Sequence, residues 1–185
     1  MCIRDIRAWN LEGYLILKNQ FMPKKSTMDR AKKAKRQGKS PSTQASEFVH
    51  EEIEDIRKGK HGARSAKQAI AIGLSKARRA GVDLKPPKKG TTSEKTRKSA
   101  ENAYEKGQRH EPINRKRSEA STRALKKEGR TAASHEALSR QAKSAAKKRT
   151  VSSRSAAAKK AARTKGAAGR STAAKKAART RAKSR

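Results

Sequence analysis

From residue 137 to residue 185 the sequence contains no Asp or Glu and seventeen Lys or Arg. Alanine is the commonest of the remaining residues, so no apolar face is available to bury. Ordering a backbone costs roughly 1–2 kcal/mol per residue, and like charges in water only add to that cost. A stretch of this kind cannot close a core of its own. Within it Ser155-AAAKKAART recurs as Ser171-TAAKKAART, an offset of sixteen residues. Gly166 and Gly169 between the copies argue against one continuous rod.

The same stretch points to a partner. In each repeat the cations stand at i, i+1 and i+4: Lys159, Lys160 and Arg163, then Lys175, Lys176 and Arg179. On an ideal helix they cover an arc of about 100°, a basic edge backed by alanine, the strongest helix former. The expectation is a tail that is mostly disordered when free and helical on a phosphate backbone, where its repulsion is neutralised. Binding then gains from the release of condensed counterions, and the edge offers nothing specific to bases. The residues expected to contact nucleic acid are Arg140, Lys143, Lys147, Lys148, Arg149, Arg154, Lys159, Lys160, Arg163, Lys165, Arg170, Lys175, Lys176, Arg179 and Arg181. Single-strand binding ordinarily adds aromatic platforms. The tail has none, so duplex DNA is favoured.

The rest of the chain shares the bias. Its 185 residues carry a net charge of +35, with 3% aromatic and 32% apolar residues, much of the latter alanine. High charge with low hydrophobicity marks disorder. The expected fold is therefore mostly disordered with α-helical segments, and a small αα-hairpin is its only ordered island. A membrane surface would require a basic helix with Trp, Phe or Leu on one face, which the basic segments lack, and no run is long and apolar enough to span. The single Cys2 allows no intramolecular disulfide. The expected location is cytoplasmic, at the nucleoid.

Residues 1–21 hold Cys2, Trp9, Tyr14 and Phe21, a mixture unlike that of residues 22–185. Met22-Pro23-Lys24-Lys25-Ser26 reads as a fresh amino terminus, so 1–21 are expected to be a non-native extension. Residues 22–42 form a basic arm, with a short solvated helix at Thr27–Gln37. Residues 43–84 carry the hairpin. In its first helix Val49, Ile53 and Ile56 fall at i, i+4 and i+7 beside Phe48, and Gly59 supplies the stop. Ser65 with Gln68 is a capping-box pattern opening a second helix, Ala66–Ala80, ended by Gly81. Ile70, Leu74 and Ala77 make its stripe, and Ala66, Ala69 and Gly73 permit close approach. A hairpin this small predicts marginal stability, relieved by self-association or by ligand. Residues 85–114 read as linker with a polar helix, 115–150 as a basic helical segment and 151–185 as the Lys/Ala-rich tail.

Five acids, Glu47, Glu51, Glu52, Glu54 and Asp55, concentrate on the first hairpin helix. Either they pair with the second helix or face water, or they mimic phosphate and hold the basic arms until nucleic acid displaces them. His50 and Glu54 stand at i and i+4, but two ligands are too few for a metal. Gly59-Lys60-His61-Gly62 lacks the spacing of a phosphate-gripping loop. No cofactor, metal or catalytic residue is expected, and the chain reads as no enzyme.

Two resemblances rest on these residues. The last third is similar to the Lys/Ala-rich tails of linker histones and bacterial histone-like proteins. Gly59-KHGARSAKQAIAIGLSKARRAG-Val82, with Met22-PKKS ahead and Arg123-ALKKEGRTAASHEALSRQAKSAA-Lys147 behind, resembles a family of small basic bacterial proteins. Its members are described as of unknown function, or as plasmid-stabilisation or DNA-binding proteins. The resemblance implies a bacterial setting and carries over no catalytic residue. The expected function is sequence-independent binding of duplex DNA, nucleoid-associated or histone-like. The alternatives are an RNA- or ribosome-associated protein, or an oligomerising, antitoxin-like interaction module with an accessory tail.

Overall fold

A computed structural model describes residues 23–183. The expectation for 1–21 lies outside the described residues. Among these the secondary structure is helical throughout: α1 Lys25–Arg36, α2 Pro41–Arg57, α3 Ala66–Arg79, α4 Glu94–Gln108, α5 Arg115–Lys126, a 3-10 turn Thr131–Ala133, α6 His135–Lys147 and α7 Val151–Lys183. The chain divides between Leu138 and Ser139 into two compact units.

Local chemistry sets the boundaries of α2 and α3. Pro41 opens α2, where its missing N–H costs nothing and its fixed φ suits a helix. Gly59, at φ 75°, turns the chain out of it. At the start of α3 the Ser65 hydroxyl accepts the Gln68 N–H at 3.2 Å, and the Gln68 side chain accepts the Arg64 N–H at 2.9 Å. The two helices run antiparallel: Phe48 packs near Ala77, and Ile56 near Ala69. Between these levels the backbones come so close that a Cβ on Gly73 would lie 2.6 Å from the Val49 Cα. Small residues, not large ones, make this contact. On α3 Ala66, Ala69, Gly73 and Ala77 are buried, while Ile70 and Leu74 are only half-buried.

The hairpin is not the only ordered element, and the expectation of a mostly disordered chain gives way to an all-helical one. The segment read as a solvated helix is α1, which buries Thr27, Ala31 and Ala34 and adds Ala31 to the Phe48 cluster. The segment read as linker contains α4, which buries Ala100, Ala103 and Gly107 and packs on α3. A Cβ on Gly107 would collide with the Arg78 carbonyl oxygen. After α5, Ala132 and Ala133 close a second cluster with Ile56, Ala63 and Ala69. The physical reason is common to all three. Alanine and glycine stripes let helix backbones approach closely, and the dispersion contacts so gained replace those of bulky side chains.

The second unit has a different character. Neither α6, whose first four residues belong to the first unit, nor α7 has a buried residue, and α7 breaks at Gly166, whose φ of 64° and ψ of 176° are not helical. Gly169 stays within the helix. The Arg170 guanidinium reaches across the break and donates to the Ala162 carbonyl at 2.7 Å.

Candidate nucleic-acid interface

All fifteen cations expected to contact nucleic acid are exposed. Arg140, Lys143 and Lys147 stand on α6, and Lys148 and Arg149 lie in the link to α7. Arg154, Lys159, Lys160, Arg163 and Lys165 precede the break at Gly166, and Arg170, Lys175, Lys176, Arg179 and Arg181 lie beyond it. Each repeat is therefore a helical piece of its own, with its three cations on one edge. Hydroxyls on these pieces turn inward: Thr164 donates to the Lys160 carbonyl at 2.9 Å and Thr180 to that of Lys176 at 3.0 Å. These two hydroxyls are therefore engaged with the helix backbone beside the exposed ammonium and guanidinium groups.

In the first unit the charges are engaged with one another. Glu52 is wholly buried in the stripe Phe48–Glu52–Ile56. Its Oε2 lies 2.7 Å from the Lys76 Nζ, and its Oε1 lies 3.4 Å from the His61 Nε2. Lys76 and His61 are buried too. Asp55 takes ammonium groups from two sides, Lys24 at 2.8 Å and Lys60 at 2.9 Å. Burial acts to raise the Asp55 pKa, yet the hydrogen bonds and charges of these two lysines outweigh it and leave the carboxyl below its ordinary 3.8. The same bond, working against some desolvation, raises Lys24. Glu51 accepts the Lys24 backbone N–H at 3.0 Å, and Glu47 meets Arg30 at 2.7 Å.

The acids of this helix thus divide their contacts between α3 and the basic arm. Glu52 pairs with α3, while Glu47, Glu51 and Asp55 hold the segment that leads into and forms α1. Only Glu54 behaves as a surface group, between His50 and Lys58 at 3.6 Å each. A periodicity based on Val49, Ile53 and Ile56 missed the inward turn of Glu52, because a carboxylate is scored as outward unless its partner is known. The partner, Lys76, lies on the next helix.

Sequence reasoning also left out the cations of the folded unit. On α1 Lys25, Lys32, Lys33, Lys35 and Arg36 are exposed. At the turn between α2 and α3, Lys60 meets Lys126 and Arg130 around a pocket of about 580 Å³. The signal for α1 was in its sequence. For the pocket it was not, since Lys60 lies more than sixty residues from Lys126 and Arg130. Among the described residues no three His, Cys, Asp or Glu side chains gather as a metal site. Nor is any helix there long and apolar enough to cross a membrane.

Residues 33–89, from the second half of α1 through α3 and the loop after it, match a family of unknown function, DUF6496. The matched region contains the Glu52–Lys76 pair and stops short of the tail. No curated protein and no solved structure matches the chain.

Proposed function

We propose that this chain binds the phosphate backbone of duplex DNA without reading base sequence, in the manner of a nucleoid-associated or histone-like protein. The observation that carries the reading is the pairing of exposure with a sequence that holds no acidic residue. Fifteen exposed cations, thirteen on helices with no buried residue and two in the link between them, lie in a segment without one Asp or Glu. No acidic side chain of that segment competes with a polyanion for them.

In this reading the helical tail is the form that engages phosphate. Cations spaced i, i+4 destabilise an isolated helix, and short isolated helices are marginal in water even when rich in alanine. Free of its partner the tail is a shifting mixture of helix and coil. Phosphates remove the repulsion, and each neutralised charge returns counterions to solution. The break at Gly166 lets the two repeats follow successive stretches of a curved or bent backbone independently.

RNA offers the same phosphates, and the chemistry of the tail does not discriminate by sugar. Competition separates the two. Full-length protein bound to a labelled duplex is challenged with unlabelled duplex DNA, duplex RNA and single strands at matched phosphate concentration and salt. The expected order places duplex DNA of any sequence at least level with duplex RNA, and single strands last. A clear advantage for RNA would move the protein to a ribosomal or RNA-associated role.

A further inference from the structure

We propose that the pocket at the turn between α2 and α3 binds a phosphate group, a site in the folded unit separate from the tail. It is lined by Gly59, Lys60, His61, Lys126, Glu128 and Arg130. The cations come from two distant segments of the chain, and folding brings them around one concavity.

The frame of the pocket is fixed by backbone contacts. The Gly62 N–H donates to the Leu125 carbonyl at 2.9 Å and the Ala63 N–H to the Gly129 carbonyl at 3.0 Å. This stitches the turn to the end of α5. Gly62 must be glycine, since a Cβ there would strike the Glu128 carbonyl. Gly59, at φ 75°, brings the backbone under Arg130, and a Cβ on it would lie 3.2 Å from the Arg130 Nη1.

The charges around this frame are unequally committed. Lys60 is shared with Asp55 at 2.9 Å. His61 is turned inward, its Nε2 toward Glu52 and its Nδ1 3.2 Å from the Gly62 carbonyl. Glu128, the only carboxylate in the lining, lies 3.4 Å from Arg64. Lys126 and Arg130 are exposed, and among the described residues neither side chain has an ion-pair or hydrogen-bond partner. Arg130 brings a planar fork suited to two phosphate oxygens, and Lys126 brings a point charge beside it. A concave wall focuses such a field more than the convex face of α1 does.

These cations also stand near the carboxyl ends of α2 and α5, where the helix dipole favours positive charge. A capping role alone would explain their presence without any ligand, so the test must tell the two apart. Full-length protein labelled with nitrogen-15 is titrated with inorganic phosphate, against chloride at equal ionic strength. Saturable shifts are expected at Gly59, Lys60, Lys126 and Arg130, with phosphate only. A Lys126→Gln, Arg130→Gln double variant should weaken this binding by about tenfold or more, the loss of charge-assisted bonds. A Lys88→Gln, Lys98→Gln variant, equal in charge and distant in sequence, should change it less than about twofold by loss of general attraction alone.

Duplex DNA added to the same samples identifies the source of the phosphate. Shifts at the pocket that vanish in the Arg130 variant make it a backbone contact. A pocket that answers inorganic phosphate and ignores duplex takes a small phosphorylated ligand, and that result leaves the tail's DNA binding to stand or fall separately. A variant that only lowers the melting temperature, with no saturable phosphate response in the parent protein, would overturn the proposal in favour of capping.

Discussion

Compare Lys76 with Lys160. Lys76 is buried between α2 and α3, 2.7 Å from a carboxylate that is itself wholly buried. Lys160 is exposed on a helix with no buried residue, in a segment that has no carboxylate side chain. The residue type is the same and the physical task is opposite. In the first unit a lysine compensates a charge of the fold and must stay where it is. In the second it has nothing to compensate until a polyanion arrives. What separates the two units is the supply of acids, since every Asp and Glu of the chain lies at or before Glu136.

The comparison predicts its largest stability effect at Glu52. Glu52→Gln leaves Lys76 charged and buried without its counter-ion, which costs about 3–5 kcal/mol. A unit with so few large side chains would then be largely unfolded, as denaturant titration would show. Replacing both partners, Glu52→Leu with Lys76→Met, should restore most of the loss, since well-packed apolar substitutes for a buried pair are often neutral or better. Lys160→Gln should leave the same denaturation curve unmoved. Equal responses at Lys76 and Lys160 would erase the distinction.

Glycine sharpens it with a change of sign. Gly107→Val forces a side chain into the Arg78 carbonyl and should destabilise the first unit by about 1–3 kcal/mol or more. Gly169→Ala, in a helix where a Cβ meets only Lys165 at 3.8 Å, should add helix content. The gain is about 1 kcal/mol of propensity, read by circular dichroism of the full chain bound to duplex.

Acid titration gives the smallest contrast. The Asp55 carboxyl is depressed in the folded protein: burial would raise it, and the Lys24 and Lys60 hydrogen bonds more than reverse that. A depressed carboxyl contributes stability that is fully present above the unfolded value and is lost as pH falls through the folded one. The melting temperature of the first unit should therefore decline as pH drops below about 4. Asp55→Asn should flatten that decline. The second unit, with no Asp or Glu, should show no matching change in helicity over the same range.

The helical elements were largely legible, because Gly59, Ser65 with Gln68, and Gly81 are local signals that act within one turn. The packing was legible only in part. The small face of α3 could be read from Ala66, Ala69 and Gly73, but the same logic applies to Thr27, Ala31 and Ala34 on α1 and to Ala100, Ala103 and Gly107 on α4. Those stripes look polar in a periodicity built on large apolar residues. The inward turn of Glu52 could not be read at all, since it depends on where Lys76 is brought by the α2–α3 crossing. For the tail the reverse holds. Its cations were identifiable from sequence because exposure needs no partner, and the structure adds chiefly the position of the break.

The central claim is that the unopposed cations of the second unit drive binding through counterion release. It is tested most directly by measuring duplex affinity against salt for the full chain and for a chain ending at Leu138, with two duplexes of unrelated sequence. For the full chain log K should fall with log salt at about 0.9 per phosphate neutralised, with the same line for both duplexes. Truncation should make the slope much shallower and reduce affinity at low salt by about a thousandfold. A truncated chain with the parent's slope and affinity, or a parent that prefers one duplex by about a hundredfold or more, would contradict the account.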